Sequence, residues 1–243
     1  MRLLLAVQEG QNGIRVSGDG NGCQEGAGMA KITLEFDMPK YPKIDSIFKR
    51  DTKTGAFLIG EYSTPEIEYL ADNVWHFTEK IDGTNVRVGW DGEGVTFKGR
   101  TDKAQMPPEL MAKLEELLPP AKLAQTFDCP AMLYGEGFGG KIQAGHKTYG
   151  DINFALFDVR IGRWWLKQGD VMQIAENLGI ERVPDVASGD LDRAIEWTQE
   201  GFTSAFGDFP AEGLVCRPLV DLLARSGERI ITKVKCKDWK TSR

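Results

Sequence analysis

The chain has 243 residues, of which 41% are hydrophobic and 27% charged, a composition typical of an ordinary globular protein with one larger domain or two small ones. No apolar run approaches the length of a membrane span, so we expect no membrane partner. The formal net charge of −6 argues by itself against a nucleic-acid partner. However, residues 225–243 hold seven basic side chains against two acidic ones, so the average hides a basic segment.

Cysteine and histidine usage restricts the chemistry further. The four cysteines lie far apart and form no C-x-x-C pair, which argues against a zinc site or a disulfide framework and fits the reducing cytoplasm. Only His76 and His146 are available for a Ser-His-Asp triad or a histidine-rich metal site. The search for function therefore turns to lysines, carboxylates and a hard metal ion.

The first half of the chain divides near residue 29. Residues 1–28 are rich in Gly, Gln, Asn and Ser, so we expect them to be disordered or an upstream extension, with residues 29–243 forming the folded domain. Residues 73–81 alternate their side chains, with Glu79 on one face and Lys80 on the other, which predicts a strand. Residues 86–100 predict a hairpin that turns at Asp91-Gly92.

The second half alternates helical and extended patterns. Prolines bracket an apolar helical period over residues 107–120, and we expect further helices over residues 167–180 and 190–206. Strands are predicted by the remaining apolar runs: 131–140, 153–161, 212–218 and 229–236. Because hairpin turns separate many strands, the fold class is predicted to be mixed α+β with antiparallel pairs.

A glycine-rich segment from Gly135 to Lys141 fits two phosphate-binding patterns, G-x-G-x-x-G and most of G-x-x-x-x-G-K-[ST]. Both patterns need a helix that starts inside the glycines and offers its free N–H groups to phosphate. Residues 143–153 have no apolar period, and Ile142 stands where the second pattern needs a hydroxyl. We therefore reject both interpretations. A small-molecule kinase, which this near-match would suggest, stays as an alternative that would transfer phosphate without a protein adduct.

Lys80 raises a sharper question, because it precedes an Asp-Gly turn in a half-buried strand. A lysine amine attacks only when neutral, and burial and nearby cations both favour the neutral form. The turn at Asp82-Gly83 brings backbone close to a ligand and fixes where Lys80 points. Taken alone, K-x-D-G can also be an ordinary lysine before a turn.

Residues 79–85, Glu-Lys-Ile-Asp-Gly-Thr-Asn, resemble the first signature of the covalent nucleotidyltransferases, the superfamily of RNA ligases, DNA ligases and mRNA capping enzymes. The resemblance implies that Lys80 becomes bonded to a nucleoside monophosphate. It also implies that Glu79 meets the nucleotide and that Asn85 lies near phosphate. Arg100, which follows the predicted hairpin, is similar to the basic residue of the second signature.

Three further signatures follow in the expected order. Glu136 resembles a glutamate that binds the ribose, and Phe157 resembles an aromatic that stacks on the nucleobase, with Asp158 beside it. Glu212 resembles a residue that helps to hold a divalent metal. Plainer interpretations exist: Phe157 as core, and the two glutamates as solvated strand ends. Residues 164 and 165, both tryptophan, are expected to pack.

The last signature is a K-x-K strand that reaches the α-phosphate. We assign it to Lys233 and Lys235, because Trp239 lies four residues after the second lysine, although Lys235 and Lys237 also fit the pattern. Lys237 is interpreted as a surface or RNA-contacting lysine.

Together the six signatures span residues 79–239 and lean toward the RNA ligase branch that resembles the second bacteriophage T4 enzyme. The resemblance implies an antiparallel-sheet adenylation domain without a C-terminal barrel. It implies an ATP-dependent RNA ligase with Mg²⁺ or Mn²⁺, acting in RNA repair on 5′-phosphate and 3′-hydroxyl ends through lysyl-AMP. A phage enzyme of this kind works in the host-cell cytoplasm. Asp82 departs from the branch, where a histidine follows Lys-Ile.

Several alternatives remain open from the sequence. A minimal DNA ligase or nick sealer would join a different polymer, and a capping guanylyltransferase would be labelled by GTP. A non-catalytic relative would bind nucleic acid without a covalent adduct. RNA ends or nicked nucleic acid are the expected partners, and the sequence is silent on oligomeric state.

Overall fold

The structure is a computed structural model that describes residues 37–143 and 149–239. The predictions for residues 1–28 and for His146 lie outside the described residues. Within the described residues, thirteen strands and five α-helices are present, and no helix is long and apolar enough to cross a membrane.

The elements of the first half are β1 (Asp45–Ser46), β2 (Phe48–Arg50), β3 (Phe57–Tyr62), α1 (Pro65–Tyr69), β4 (Trp75–Glu79), β5 (Thr84–Trp90), β6 (Val95–Gly99), α2 (Pro108–Leu117) and α3 (Pro120–Thr126). Those of the second half are β7 (Ala131–Phe138), β8 (Asn153–Ile161), β9 (Trp164–Trp165), α4 (Gln168–Leu178), β10 (Glu181–Arg182), β11 (Asp185–Gly189), α5 (Leu191–Glu200), β12 (Gly213–Pro218) and β13 (Thr232–Lys235). A 3₁₀ helix, Cys236–Trp239, follows β13.

Two main sheets organise these elements. The first has the strand order β1-β13-β12-β4-β11, and the second has the order β10-β8-β7-β5-β6, with β9 paired to β8. Pairing is antiparallel except between β1 and β13 and between β10 and β8. The predicted mixed α+β class with antiparallel sheets is therefore confirmed.

Each sheet packs one face into its own apolar core. Helices α2, α3 and α4 cover the second sheet with residues such as Leu110, Leu123 and Leu178. Helices α1 and α5 cover the first sheet, where Trp75 and Phe77 of β4 are fully buried. The alternation predicted for residues 73–81 is confirmed, because it directs those two rings inward.

Helices α2 and α4 and the β5–β6 hairpin are confirmed near their predicted bounds. The prolines that end α2 also start α3, which was not predicted, because Pro120 at the first helical turn has no N–H to leave unpaired. The predicted helix over residues 190–206 was too long. Helix α5 ends at Glu200, since Gly201 adopts a positive φ of 81°.

Neither phosphate-loop pattern has its helix in the described residues. Gly135 and Gly137 lie in strand β7, and residues 139–143 form turns. The rejection of both patterns is consistent with this geometry.

Candidate active site

A cavity of about 500 Å³ lies between residues of the two main sheets, a size within the ~300–1,000 Å³ typical of small-molecule sites. The structure brings every predicted site residue to its wall: Glu79, Lys80, Asn85, Arg100, Glu136, Phe157, Glu212, Lys233 and Lys235. These residues come from segments up to 156 positions apart in sequence, so it is the fold, and not any short sequence motif, that brings them together.

Lys80 lies immediately after β4, and hydrogen bonds hold the backbone of Lys80 and of the turn that follows it. Its N–H donates to the Gly213 carbonyl at 2.9 Å, and the Asp82 N–H donates to the Tyr149 hydroxyl at 3.1 Å. Gly83 cannot be replaced without conflict, because a Cβ there would lie 2.3 Å from the Gly137 carbonyl oxygen. The Asp-Gly turn therefore presses this loop against β7 and sets the direction of Lys80.

Glu212 joins two of the lysines at the centre of the cavity. The Lys80 Nζ donates to Glu212 Oε2 at 2.6 Å, and the Lys235 Nζ lies 2.5 Å from Glu212 Oε1. The three side chains are between 11% and 23% exposed, so solvent screens these ion pairs only partly. Lys80 thus meets both a carboxylate and neighbouring cations, where the sequence had suggested cations alone.

Lys233 has no such carboxylate and forms no ion pair within the described part of the chain. Burial lowers the pKa of its ammonium below the usual range, and the nearby charges of Lys80, Lys235 and Arg100 lower it further. The cavity therefore holds a cationic group that an anionic ligand would stabilise.

Glu136 is perturbed in the opposite sense. Burial raises the pKa of its carboxyl to about 7, Glu212 and Asp82 raise it further, and Lys80 and the Gly83 N–H oppose the shift. The carboxyl therefore titrates much closer to neutral pH than an ordinary glutamate does. In its protonated form it can donate a hydrogen bond as well as accept one.

Two of the predicted binding residues, Glu79 and Asn85, differ in whether their side chains already have partners. The Glu79 carboxylate accepts from the Ser204 hydroxyl at 2.5 Å and the Ala205 N–H at 2.8 Å, so its side chain is already held by a loop. Any contact of Glu79 with a nucleotide is left to its other atoms. Asn85 Oδ1 is buried and has no hydrogen-bond partner among the described residues, which marks it as a free acceptor in the cavity wall.

Phe157 and Arg100 complete the wall. Phe157 is partly exposed on β8 and meets the Tyr41 ring edge-on, with ring centroids 4.9 Å apart. It therefore borders the core and lines the cavity at the same time. Arg100 follows β6 and is exposed, as the hairpin prediction implied.

Sequence reasoning missed a buried ionic network behind the cavity. Asp158 has no exposed surface and accepts two hydrogen bonds each from Arg217 and Arg229, and one from the Tyr41 hydroxyl. Burial alone would raise the pKa of Asp158, but the two guanidinium groups hold it below its usual range. An acidic residue in an apolar strand was the available signal, since a buried charge needs a partner.

This network takes one of the cations of the basic segment 225–243 away from the surface. Arg229 points inward to Asp158 and stacks on Trp165, with its Cζ 3.7 Å from the ring centroid. Lys233 and Lys235 face the cavity, and residues 240–243 lie outside the described residues. Arg225 and Lys237 are the exposed cations that remain from this segment in the described part, and Lys237 also lines the cavity, so both K-x-K pairs reach it.

A divalent metal would have to be held with few protein ligands. No group of three or more His, Cys, Asp or Glu side chains in the described residues is arranged to cage a metal ion. Mg²⁺ in nucleotide sites is held by one or two carboxylates together with water and phosphate oxygens. Glu212 and the unpartnered Asn85 oxygen fit that kind of site.

Comparisons with known proteins agree with this geometry. The family model of RNA ligases matches residues 73–235, which is more than half of the chain. A search of curated proteins found no match. Among solved structures, a variant of the Naegleria gruberi RNA ligase with ATP and manganese is similar, with a TM-score of 0.60 and 17% identity over 84% of this chain and 60% of that chain.

Other structures of the Naegleria protein match equally well. Its complex with pyrophosphate gives a TM-score of 0.59 at 16% identity, covering 84% of this chain and 64% of that one. A variant with AMP and manganese gives 0.59 at 17% identity, covering 83% and 63%. This chain therefore spans about 60% of the length of those ligases, and at such identity the likeness shows a shared fold. With the family model matched across the cavity-forming segments, the chain belongs to the RNA ligase family.

Proposed function

We propose that the protein is an ATP-dependent RNA ligase that joins 5′-phosphate and 3′-hydroxyl ends through a lysyl-AMP intermediate on Lys80. The observation that carries the proposal is the position of the Lys80 amine, 2.6 Å from Glu212 in a cavity also lined by Lys233 and Lys235. The solved relatives with ATP, AMP, pyrophosphate and manganese support the same ligands here. We place the activity in the cytoplasm, in residues 29–243.

In the first step the Lys80 ammonium loses a proton and leaves its ion pair with Glu212, because only the neutral amine has a lone pair for the attack. Glu212 Oε2 lies within hydrogen-bond reach of Nζ and can relay this proton to solvent, which leaves the carboxylate ionised. The nitrogen then attacks the α-phosphorus of ATP: the N–P bond forms, the bond to pyrophosphate breaks, and a second proton leaves Nζ for solvent.

The surrounding residues position the nucleotide and offset its charge, which is most of what phosphoryl transfer requires. Lys233 and Lys235 face the phosphates from β13, and Arg100 adds a cation from the end of β6. Phe157 supplies an aromatic face for the base, and Glu136 a polar contact for the ribose. A bound magnesium or manganese ion, held through Glu212, would supply further positive charge beside the phosphates.

In the later steps the AMP passes from Lys80 to a 5′-phosphate end, and a 3′-hydroxyl then attacks that end and expels AMP. Each of these steps breaks one bond to phosphorus and forms another. The partners implied are RNA ends, and this part of the proposal depends on the family match rather than on the cavity.

The test is to mix the protein with α-³²P-ATP and Mg²⁺ and to look for a labelled band near 27.0 kDa. Lys80→Ala should abolish labelling. Lys80→Arg should also abolish it, because a guanidinium stays protonated and is a poor nucleophile. Lys49→Ala, at an exposed lysine of β2, is the matched control and should label normally.

A labelled Lys80→Ala protein would overturn the assignment of the nucleophile. Labelled wild-type protein should then be offered 5′-phosphorylated RNA and nicked DNA of the same sequence. Joining of the DNA alone would replace the RNA ligase proposal with a DNA ligase.

A further inference from the structure

A second cavity of about 420 Å³ adjoins the active site. Its walls are residues 40–45, the β8–β9 hairpin and residues 224–231, and we call it the hairpin groove. Tyr41, Pro42 and Ile44 line both cavities, so this short extended segment is the wall they share. A chain whose end lies at Lys80 can therefore continue over this wall into the hairpin groove.

Five cations line the groove against three carboxylates, Asp45, Glu66 and Glu228, which is a small positive excess in a chain whose formal charge is −6. Two of those cations are already compensated: Arg229 by Asp158, and Lys43 by Asp45 at 3.2 Å. The Lys40 Nζ lies 3.8 Å from Asp102 Oδ2. Both side chains are exposed, so this ion pair is weak.

Arg160 in β8 and Arg163 in the turn between β8 and β9 form no ion pair within residues 37–143 and 149–239. The Arg160 Nε is buried and lacks a hydrogen-bond partner there, which leaves a donor that a phosphate oxygen would satisfy. Arg163 is exposed at the tip, with its guanidinium 5.3 Å from the ring centroid of Trp164. Arg160 also lies over Trp165, with its Cζ 5.8 Å from the ring centroid. Because neither arginine has a carboxylate partner in the described residues, both guanidinium groups, the side chain best suited to bind phosphate, can take one.

The two tryptophans of the hairpin differ, which corrects the expectation that both pack. Trp165 is held between Tyr41, Tyr134 and Arg229, and it forms part of the groove floor. Trp164 is 68% exposed on the other face of the hairpin, although exposing a large apolar ring to water is unfavourable in free energy. An exposed aromatic ring beside an unpaired arginine is the combination that binds single-stranded nucleic acid by stacking and charge.

We propose that the hairpin groove binds the sugar-phosphate backbone of the RNA strand whose end is joined, with Arg160 and Arg163 on its phosphates and Trp164 stacking on a base where the strand leaves the groove over the hairpin tip. The proposal rests on the ligase function proposed above and adds to it the path of the polymer. A free nucleotide needs only the cavity around Lys80, whereas a polymer uses both cavities.

The test is RNA binding by fluorescence anisotropy, with a labelled 5′-phosphorylated single-stranded RNA and no ATP present. Arg163→Glu should weaken binding at least about tenfold at low salt, and Arg163→Gln should reduce the slope of log affinity against log salt by about one. Arg160→Gln should act in the same direction, with its melting temperature measured because this side chain is partly buried. Trp164→Ala should weaken binding at least about fivefold.

Helix α5 offers matched controls, because Arg193 lies over Trp197 with the same 5.3 Å separation and lines neither cavity. Arg193→Glu and Trp197→Ala should leave RNA affinity within about twofold of wild type. Self-labelling with ATP should be normal in every hairpin variant.

The outcomes separate the two proposals. Wild-type protein that never labels with ATP refutes the ligase function. Normal labelling together with unchanged RNA affinity and salt slope in Arg163→Glu and Trp164→Ala refutes the groove. Loss of binding to anionic phospholipid vesicles in Arg163→Glu, with RNA binding intact, would assign the groove to a membrane surface and overturn the proposal.

Discussion

Replacing Glu136 by glutamine should stabilise the nucleotide-free protein, and the gain should grow as the pH rises. In the folded chain the pKa of Glu136 is about 7, against an ordinary value of 4.5, chiefly because the carboxyl is buried. Between those two values the unfolded chain has released its proton while the folded chain retains it. Folding stability therefore falls as the pH rises through this window, and it stays low above it.

The size of the effect follows from the width of that window. Each pH unit between 4.5 and about 7 removes about 1.4 kcal/mol from the free energy of unfolding, which gives a loss of about 3 kcal/mol by about pH 8. A neutral glutamine avoids this loss, and its amide oxygen can still accept the Gly83 N–H. For a chain of this size the gain corresponds to a melting temperature about 6–12 °C higher at about pH 8.

The assay is urea unfolding of wild type and Glu136→Gln at several pH values from about 5 to 8.5, without nucleotide or metal. We expect nearly equal stability at the acid end and a widening advantage for the variant above it. Glu212→Gln is the control of opposite sign, because it removes the ion pairs to Lys80 and Lys235 and should destabilise the protein. A Glu136→Gln advantage that is absent, or constant with pH, would refute the assignment of a buried carboxyl that resists ionisation.

Three further predictions concern the frame of the site. Asp158→Asn should cost about 3–5 kcal/mol in urea unfolding, because it leaves Arg217 and Arg229 as buried cations without a counter-charge; a loss below about 1 kcal/mol would contradict the network. Gly83→Ala should lower both the melting temperature and the rate of ATP labelling, because the new Cβ would lie 2.3 Å from the Gly137 oxygen; unchanged labelling would show that the loop can move away. Removal of divalent ions with EDTA should stop ATP labelling, and Mg²⁺ or Mn²⁺ should restore it; labelling that persists in EDTA would contradict a metal requirement.

Much of the fold could be predicted because local pattern and tertiary packing agree. In α4 the apolar positions Val171, Ile174, Ala175 and Leu178 recur at the helical period, and all four are buried against the second sheet. In the β5–β6 hairpin the Asp91-Gly92 turn fixes the register. The residues of the site could be named for a different reason, since their order along the chain matches the family signatures.

The parts that could not be predicted depend on partners distant in sequence. Glu79 is held by Ser204, 125 positions later, and nothing in the strand around Glu79 indicates that loop. Arg229 belongs to a basic segment by composition, yet Asp158, 71 positions earlier, turns it inward. Adjacent residues also diverge: Trp165 packs and Trp164 is exposed, because neighbouring side chains of a strand point to opposite faces.

Three features of the cavity are energetically unfavourable in the free protein, and a bound nucleotide would relieve them. Lys233 is a partly buried cation without an ion pair in the described residues, Asn85 carries an unpartnered oxygen, and Glu136 resists ionisation. Local rules of folding tend to be broken where a ligand later satisfies them. A nucleotide phosphate would stabilise the Lys233 ammonium, and a sugar hydroxyl could hydrogen-bond Glu136 in either protonation state. Because the pKa of Lys233 should rise when phosphate binds, ATP binding should take up protons in the range between its lowered pKa and its raised one, so the apparent affinity should fall as the pH rises through that range. The strain in the free cavity is therefore itself an argument that this is where the nucleotide binds.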